Sequence, residues 1–287
     1  MENYHGRVAV VTGAASGIGY SLAEKCVTCG MHVVLADIDT ISLDQKCKAF
    51  STSEGRCIAI PTDVTRLDNV KDLARLTYSA FRRIDFLFIN AGVNIVARTW
   101  EYDILDWRWI IGVNLWGTIH CMNGFLPMMR KQEIDSSIVF TSSAGAFLSF
   151  QTAGPYNATK SAIVALAETL YNELKIEASR IRVHVLCPGM ANTNLDKAEA
   201  HRPAEYKNPS VEYNSEDRLK YRIPRAAVEA GMSPRRIADE VFNSIERNEF
   251  YIFPQPYIKK TIASKFRLII DQNMTLDLSG ALRKNEP

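Results

Sequence analysis

From one end of this chain to the other, short β-branched runs alternate with longer stretches whose apolar residues recur three and four apart. The short runs are Arg7–Thr12, His32–Ala36, Cys57–Ile60, Asp85–Asn90, Ser137–Thr141, Arg182–Leu186 and Phe250–Phe253. Among the stretches between them, Ile18–Cys29, Leu67–Phe81, Ile104–Arg130, Tyr156–Ala178 and Pro234–Asn248 carry the helical period. Two parallel strands of one sheet need a crossover of a dozen residues or more, which a helix supplies. The alternation therefore predicts an α/β fold: a doubly wound, parallel, seven-stranded sheet with right-handed crossovers and helices on both faces.

The chain is long enough, at 287 residues with 47% hydrophobic composition, to bury one large core or two small ones. With no repeat, low-complexity tract or linker, residues 1–287 read as a single domain. Its least regular part, about 191–232, mixes charges, prolines and aromatics, and reads as an insert that forms a mobile lid over a substrate. Thirty-four basic and thirty-two acidic side chains leave a net charge of +2, which offers no global field to gather nucleic acid or an anionic membrane. No apolar stretch approaches the roughly 20 residues of a spanning helix, and Met1–Arg7 lead straight into a strand rather than a signal peptide. A cytoplasmic location is expected, with the six cysteines (26, 29, 47, 57, 121 and 187) reduced. Cys26 and Cys29 form a CxxC spacing inside a helix with no second pair or histidine cluster, so they read as packed thiols and no metal site is expected.

The first strand runs into Thr12-Gly13-Ala14-Ala15-Ser16-Gly17-Ile18-Gly19. Gly13 permits a tight turn, Gly17 lets the backbone approach a pyrophosphate, and Gly19 lets the helix sit close on the sheet, its N-terminus facing the anion. At the end of the second strand stands Asp37, where a carboxylate can accept from adenosine ribose hydroxyls and would repel a 2′-phosphate. No Lys or Arg lies in the glycine loop, and Ile38 follows the acid, so NAD is favoured over NADP. The alternative for Asp37 is an ordinary turn residue, since Asp39 and Thr40 also suit a turn.

Further along come Asn90-Ala91-Gly92 at the end of the fourth strand, Asn114 in the next helix and Ser143 after the fifth strand. Tyr156-x₃-Lys160 opens the following helix, and Pro188-Gly189 with Thr193 follows the sixth strand. Over residues 6–253 this ordered set, with the Gly13-x₃-Gly17-x-Gly19 spacing, resembles the short-chain dehydrogenase/reductase family. The resemblance implies a Rossmann-type fold and an NAD-linked enzyme with Asn114, Ser143, Tyr156 and Lys160 as its catalytic set. It implies cofactor contacts from Gly13, Ser16, Gly17, Ile18, Gly19, Asp37, Asp63, Val64, Asn90, Ala91, Gly92, Tyr156, Lys160, Pro188, Gly189 and Thr193. The alternative for Asp63 is a cap on the following turn. A homodimer or homotetramer, packed through Ile104–Arg130 and Tyr156–Ala178, is also implied.

The chemistry of the residues agrees. Pro155 suits a first helical turn, and positions 156 and 160 stack on one helix face. A phenol, ordinarily with a pKa near ~10, is a poor base at neutral pH, and a neighbouring ammonium and a cationic nicotinamide favour the phenolate. Ser143 can hold a substrate oxygen while Tyr156 exchanges its proton; Ser142 reads instead as a partner for backbone groups. By resemblance, Asn114 positions a water that relays protons through Lys160. The expected reaction is the interconversion of a secondary alcohol and a ketone. The expected substrate is a medium-sized, partly apolar molecule whose pocket includes Phe147, Phe150, Met190 and the 191–232 insert. An NADPH-linked ketoreductase and a non-enzymatic NAD-binding scaffold are the alternatives. A serine hydrolase is weaker, for want of a GxSxG elbow.

Overall fold

The computed structural model describes residues 4–50, 55–209, 221 and 224–272. Its first half runs β1 (Val8–Thr12), α1 (Gly17–Thr28), β2 (His32–Asp37), α2 (Thr40–Ala49), β3 (Cys57–Pro61), α3 (Leu67–Phe81), β4 (Phe86–Ile89) and α4 (Ile104–Ile110). A π-helical turn over Ile111–Trp116 leads into α5 (Gly117–Arg130), β5 (Ser136–Thr141), α6 (Gly145–Leu148), α7 (Gly154–Ile176) and β6 (Ile181–Leu186). Two 3₁₀ segments, Leu195–His201 and Ala204–Tyr206, precede α8 (Arg225–Glu229), α9 (Pro234–Glu246), β7 (Tyr251–Ile252) and α10 (Pro256–Ile270).

The strands form one parallel sheet in the order β3-β2-β1-β4-β5-β6-β7. The predicted fold is thus the observed one. Successive side chains of a strand point to opposite faces, and here both faces are covered. Val10, Leu87, Ile138 and Val185 pack on one face in a core with residues of α3, α5 and α7. Ala9, Val11, Phe88 and Val139 face the other way, against α1 and α9. Strand order reverses between β1 and β4, which opens a crevice beyond their carboxyl ends.

Four elements differ from the sequence expectation. The run 104–130 is helical throughout but widens to a π turn around Asn114, whose side chain bonds outside the helix. Helices α2 and α10 are absent from the named stretches: α2 buries only Leu43 and shows little apolar period, while α10 has the period but buries only Ile258. The strand expected over 250–253 pairs only through Tyr251 and Ile252. Within 191–232 the described residues are ordered into the two 3₁₀ segments and α8, while 210–220, 222 and 223 lie outside the described residues.

Candidate active site

A cleft of about 930 Å³ lies at the carboxyl ends of the strands. Every residue of the expected cofactor set lines it except Gly19. Gly19 instead makes the helix approach possible: a Cβ there would stand 2.1 Å from the Gly13 carbonyl oxygen and 2.6 Å from the Asn90 side-chain nitrogen. Gly13 and Gly17 adopt φ of +66° and +55°, a region that L side chains enter only with strain. Ser16 caps α1 in extended conformation and its hydroxyl makes no cap bond, so the helix opens onto the cleft at Gly17 and Ile18.

The Asp37 carboxylate at the tip of β2 accepts from the Ala15 amide and from the Asp39 amide, both at 3.0 Å. The carboxylate thus braces the turn after β2 while the residue borders the cleft. No arginine lines the cleft among the described residues, and Ile38, Asp39 and Ser42 flank the acid. Asp63 behaves in the same double way: one of its oxygens accepts from the Thr65 amide at 2.9 Å and from the Thr65 hydroxyl at 2.7 Å, and the residue borders the cleft. Val64 packs where a Cβ on Gly117 would come within 2.8 Å of its Cγ2.

Asn90 braces the glycine loop rather than reaching across the cleft. Its Nδ2 donates to the carbonyls of Thr12 and Gly13 at 3.2 and 3.4 Å, and its Oδ1 accepts from Thr141. The amides of Asn90 and Ala91 both donate to the Thr12 hydroxyl. At Gly92 a Cβ would lie 3.4 Å from both Asn114 Oδ1 and Lys160 Nζ, so the turn draws those two side chains to one point. Thr193 closes the loop from above, its Cγ2 3.3 Å from where a Cβ on Gly17 would sit.

Of the expected catalytic set, Ser143, Tyr156 and Lys160 line the cleft, and Asn114 is fully buried behind it. Ser143 accepts from the Gly145 amide at 3.0 Å and lines the cleft together with the Tyr156 phenol. Lys160 Nζ lies 5.5 Å from the Tyr156 ring centroid and donates to the Thr141 carbonyl at 2.8 Å. Burial holds the ammonium down at a pKa of about 8. The phenol departs from expectation: burial raises it above its ordinary value, with the Ser143 hydroxyl pulling it back down. The protein by itself therefore keeps the phenol protonated, and lowering it needs positive charge brought into the cleft. Ser142 donates to the Lys160 carbonyl at 2.7 Å, the backbone role expected of it. Asn114 uses both ends of its amide, accepting from Val93 N at 2.8 Å and donating to Val93 O at 3.0 Å and Thr159 at 3.2 Å.

Several residues around the cleft carry no sequence signal. Gln255 accepts from the Gly189 amide at 3.0 Å and donates to the Met190 carbonyl at 2.9 Å, fixing the Pro188-Gly189 turn from the start of α10. Cys187 is buried beside Lys160, and burial pushes its thiol up to about 12. Of the expected pocket residues, Phe150 and Met190 line the cleft, whereas Phe147 turns away to pack on Tyr251 and Phe253. Phe147 precedes Leu148, the last residue of the short helix α6, so its direction is set by how that helix docks on β7 and α10.

The glycine turn, the acid on β2 and the Ser143-Tyr156-Lys160 cluster occupy one crevice. Residues 7–204 match the profile of the short chain dehydrogenase family. The chain belongs to the short-chain dehydrogenase/reductase family. It is 31% identical over 272 residues to a CLA biosynthesis dehydrogenase/reductase of Lactiplantibacillus plantarum, covering 94% of this chain and 95% of that one. It is likewise 31% identical to a C alpha-dehydrogenase of Sphingobium sp., over 100% of this chain and 93% of the relative. A crystal structure of a short-chain dehydrogenase/reductase from Burkholderia phymatum in complex with NAD superposes with a TM-score of 0.92 at 34% identity, covering 96% of this chain and 99% of that one.

Membership of the short-chain dehydrogenase/reductase family makes this protein an NAD(P)-dependent oxidoreductase acting on a small molecule. The cradle fits such a cofactor, because side chains at Gly13 or Gly17 would be strained or crowd the loop where a pyrophosphate must approach. No described helix is long and apolar enough to cross a membrane, and the described residues hold no cluster of three or more metal-binding side chains.

Proposed function

We propose that the protein is an NAD-dependent dehydrogenase interconverting a secondary alcohol and its ketone, with Tyr156 as general acid and base. The observation that carries this reading is that Ser143, the Tyr156 phenol and the buried Lys160 ammonium, its Nζ 5.5 Å from the Tyr156 ring centroid, line one end of a cleft that begins at Asp37. When bound, the nicotinamide accepts or returns the hydride. Ser143 and Tyr156 hold the substrate oxygen, and the Tyr156 oxygen takes the alcohol proton in oxidation and gives it back in reduction. The Lys160 ammonium favours the phenolate, which is the base that starts oxidation and the species left after reduction, and with Asn114 it passes the phenol proton onward. The same side chain would hold the ribose hydroxyls of the cofactor.

The phosphates would lie over Gly13, Ser16, Gly17, Ile18 and Gly19. Asp37 would take the adenosine ribose and Asp63-Val64 the adenine, with Asn90, Ala91, Gly92, Pro188, Gly189 and Thr193 enclosing the rest. A carboxylate at Asp37, with no arginine among the described residues lining the cleft, supports NAD over NADP. Beyond Tyr156 the walls are largely apolar, with Val93, Ile95, Trp109, Phe150, Met190 and Ile258, which supports a medium-sized, partly apolar substrate. We further read the chain as one catalytic domain of a cytoplasmic homodimer or homotetramer. The test is a screen of cyclic, steroidal, polyol and aliphatic secondary alcohols with NAD and NADP, following cofactor reduction. The reading predicts NAD-linked oxidation in the apolar classes, and it fails if no secondary alcohol is oxidised and no ketone reduced.

A further inference from the structure

The first half of the 191–232 segment has no continuous apolar face to hold it, and a buried charge holds it instead. The Arg202 and Asp106 side chains are each 0% exposed, and Nη1 lies 2.7 Å from Asp106 Oδ1. Nη2 lies 2.8 Å from Glu199, and Nη1 also donates to the Tyr206 carbonyl at 3.2 Å. The guanidinium stacks on the Trp109 ring, 4.5 Å from its centroid. Asp106 divides its carboxylate: Oδ2 accepts from the Asp103 amide at 2.9 Å to close the capping box of α4, and Oδ1 is given to Arg202.

Taking a guanidinium out of water is costly and is sustained only where carboxylates, carbonyls and a ring face replace the hydration. That cost is met at one place, where the 3₁₀ segments meet α4. Trp109 lines the cleft one turn along from Asp106, while Ala198, Pro203 and Tyr206 line it from the other side of Arg202. The guanidinium therefore sits behind two walls of the substrate end and ties them together across 96 residues of sequence. On the same helical run, the π turn that follows α4 carries Asn114.

We infer that Arg202 is a positioning residue for substrate recognition: through Asp106 and Trp109 it locks segment 195–206 against α4 and so sets the size of alcohol that the cleft accepts. The inference rests on the dehydrogenase reading above. The substrates it concerns are bulky, apolar secondary alcohols, whose body reaches past Tyr156 to the Trp109 and Tyr206 walls. Small alcohols react at Tyr156 without touching either wall.

The test compares wild type with Arg202→Met, which keeps an apolar stem over Trp109, and Arg202→Lys, which keeps the charge but not the fork. For Arg202→Met, KM for a steroidal alcohol should rise about tenfold or more, with kcat and the KM of a four-carbon secondary alcohol changing less than about threefold. Arg202→Lys should fall between. Trypsin cleavage after Lys197, followed by mass spectrometry on the NAD-bound protein, should quicken in the same order. Equal losses for small and bulky alcohols, or unchanged KM values, would overturn the recognition role. Should Arg202→Met not fold, the same comparison on Arg202→Lys decides. If the wild type oxidises no secondary alcohol, the dehydrogenase reading fails, and the rate of cleavage after Lys197 still decides whether Arg202 holds the segment.

Discussion

The Asp37 carboxylate accepts a 3.0 Å hydrogen bond from the Ala15 amide, so the acid that ends β2 also holds the glycine loop in place. Charge and loop geometry can be separated by substitution. Asp37→Asn keeps an acceptor and removes the charge, whereas Asp37→Ala removes both. Two like charges ~4 Å apart cost roughly 1 kcal/mol in water and about 4 at an effective dielectric of 20, equivalent to several-fold up to several hundredfold. Asp37→Asn should raise kcat/KM for NADP relative to NAD within that range. Asp37→Ala should raise the KM of both cofactors as well. A ratio unchanged in both variants would remove Asp37 from the ribose.

Tyr156→Phe keeps the ring against Lys160 and deletes the proton-transfer group. Because such groups contribute about 10²–10⁴-fold, kcat should fall by that much while NAD affinity, read by fluorescence titration, stays within about twofold. Retention of more than about a tenth of wild-type kcat would contradict the assigned role.

Asn114 holds both the amide and the carbonyl of Val93 from a position with no solvent exposure. Asn114→Ala takes the partner from those half-buried groups, at up to about 1–3 kcal/mol for each. A drop in unfolding midpoint of several degrees should therefore accompany the loss of kcat. A variant that loses activity with an unchanged midpoint would mean that the Val93 bonds carry little stability.

Lys160 titrates near 8 in the folded protein and near 10.5 when free, so the folded state disfavours its charge. Between those values the unfolded chain binds more protons than the folded one, and stability from this group increases with pH. Below pH 8 the buried charge is a constant cost of roughly 3 kcal/mol relative to a neutral group, offset in part by the bond to Thr141. In the absence of cofactor, Lys160→Met should melt higher than wild type at pH 7, and the gap should narrow as pH rises from 8 toward 10. A gap independent of pH would show that the ammonium is not desolvated.

Much of this protein is legible without coordinates because the informative signals are local. Strand and helix periods are set by which face of an element is buried, and the seven strands pair in the sheet that those periods predict. The glycine turn, the acid at its fixed distance and the i, i+4 pair of Tyr156 and Lys160 are likewise short-range patterns, and the folded chain brings them to one crevice. Helix α2 carries too little apolar pattern to be read in this way, and α10, which carries the pattern, buries only Ile258.

What the fold decided lies between residues far apart in sequence. Gln255 reaches back 66 residues to Gly189, Asn114 reaches 21 residues to Val93, and Arg202 reaches 96 residues to Asp106. A polar side chain looks the same in sequence whether it is solvated or buried against a partner, and a partner exists only once the sheet has placed the connecting loops side by side. The pKa of Tyr156 belongs to the same class: its sequence neighbours suggest a lowered phenol, while burial, which only the packed structure supplies, raises it. Local periodicity thus determined the sheet and the chemistry lying along it, and long-range desolvation and pairing decided how the cleft is walled, braced and charged.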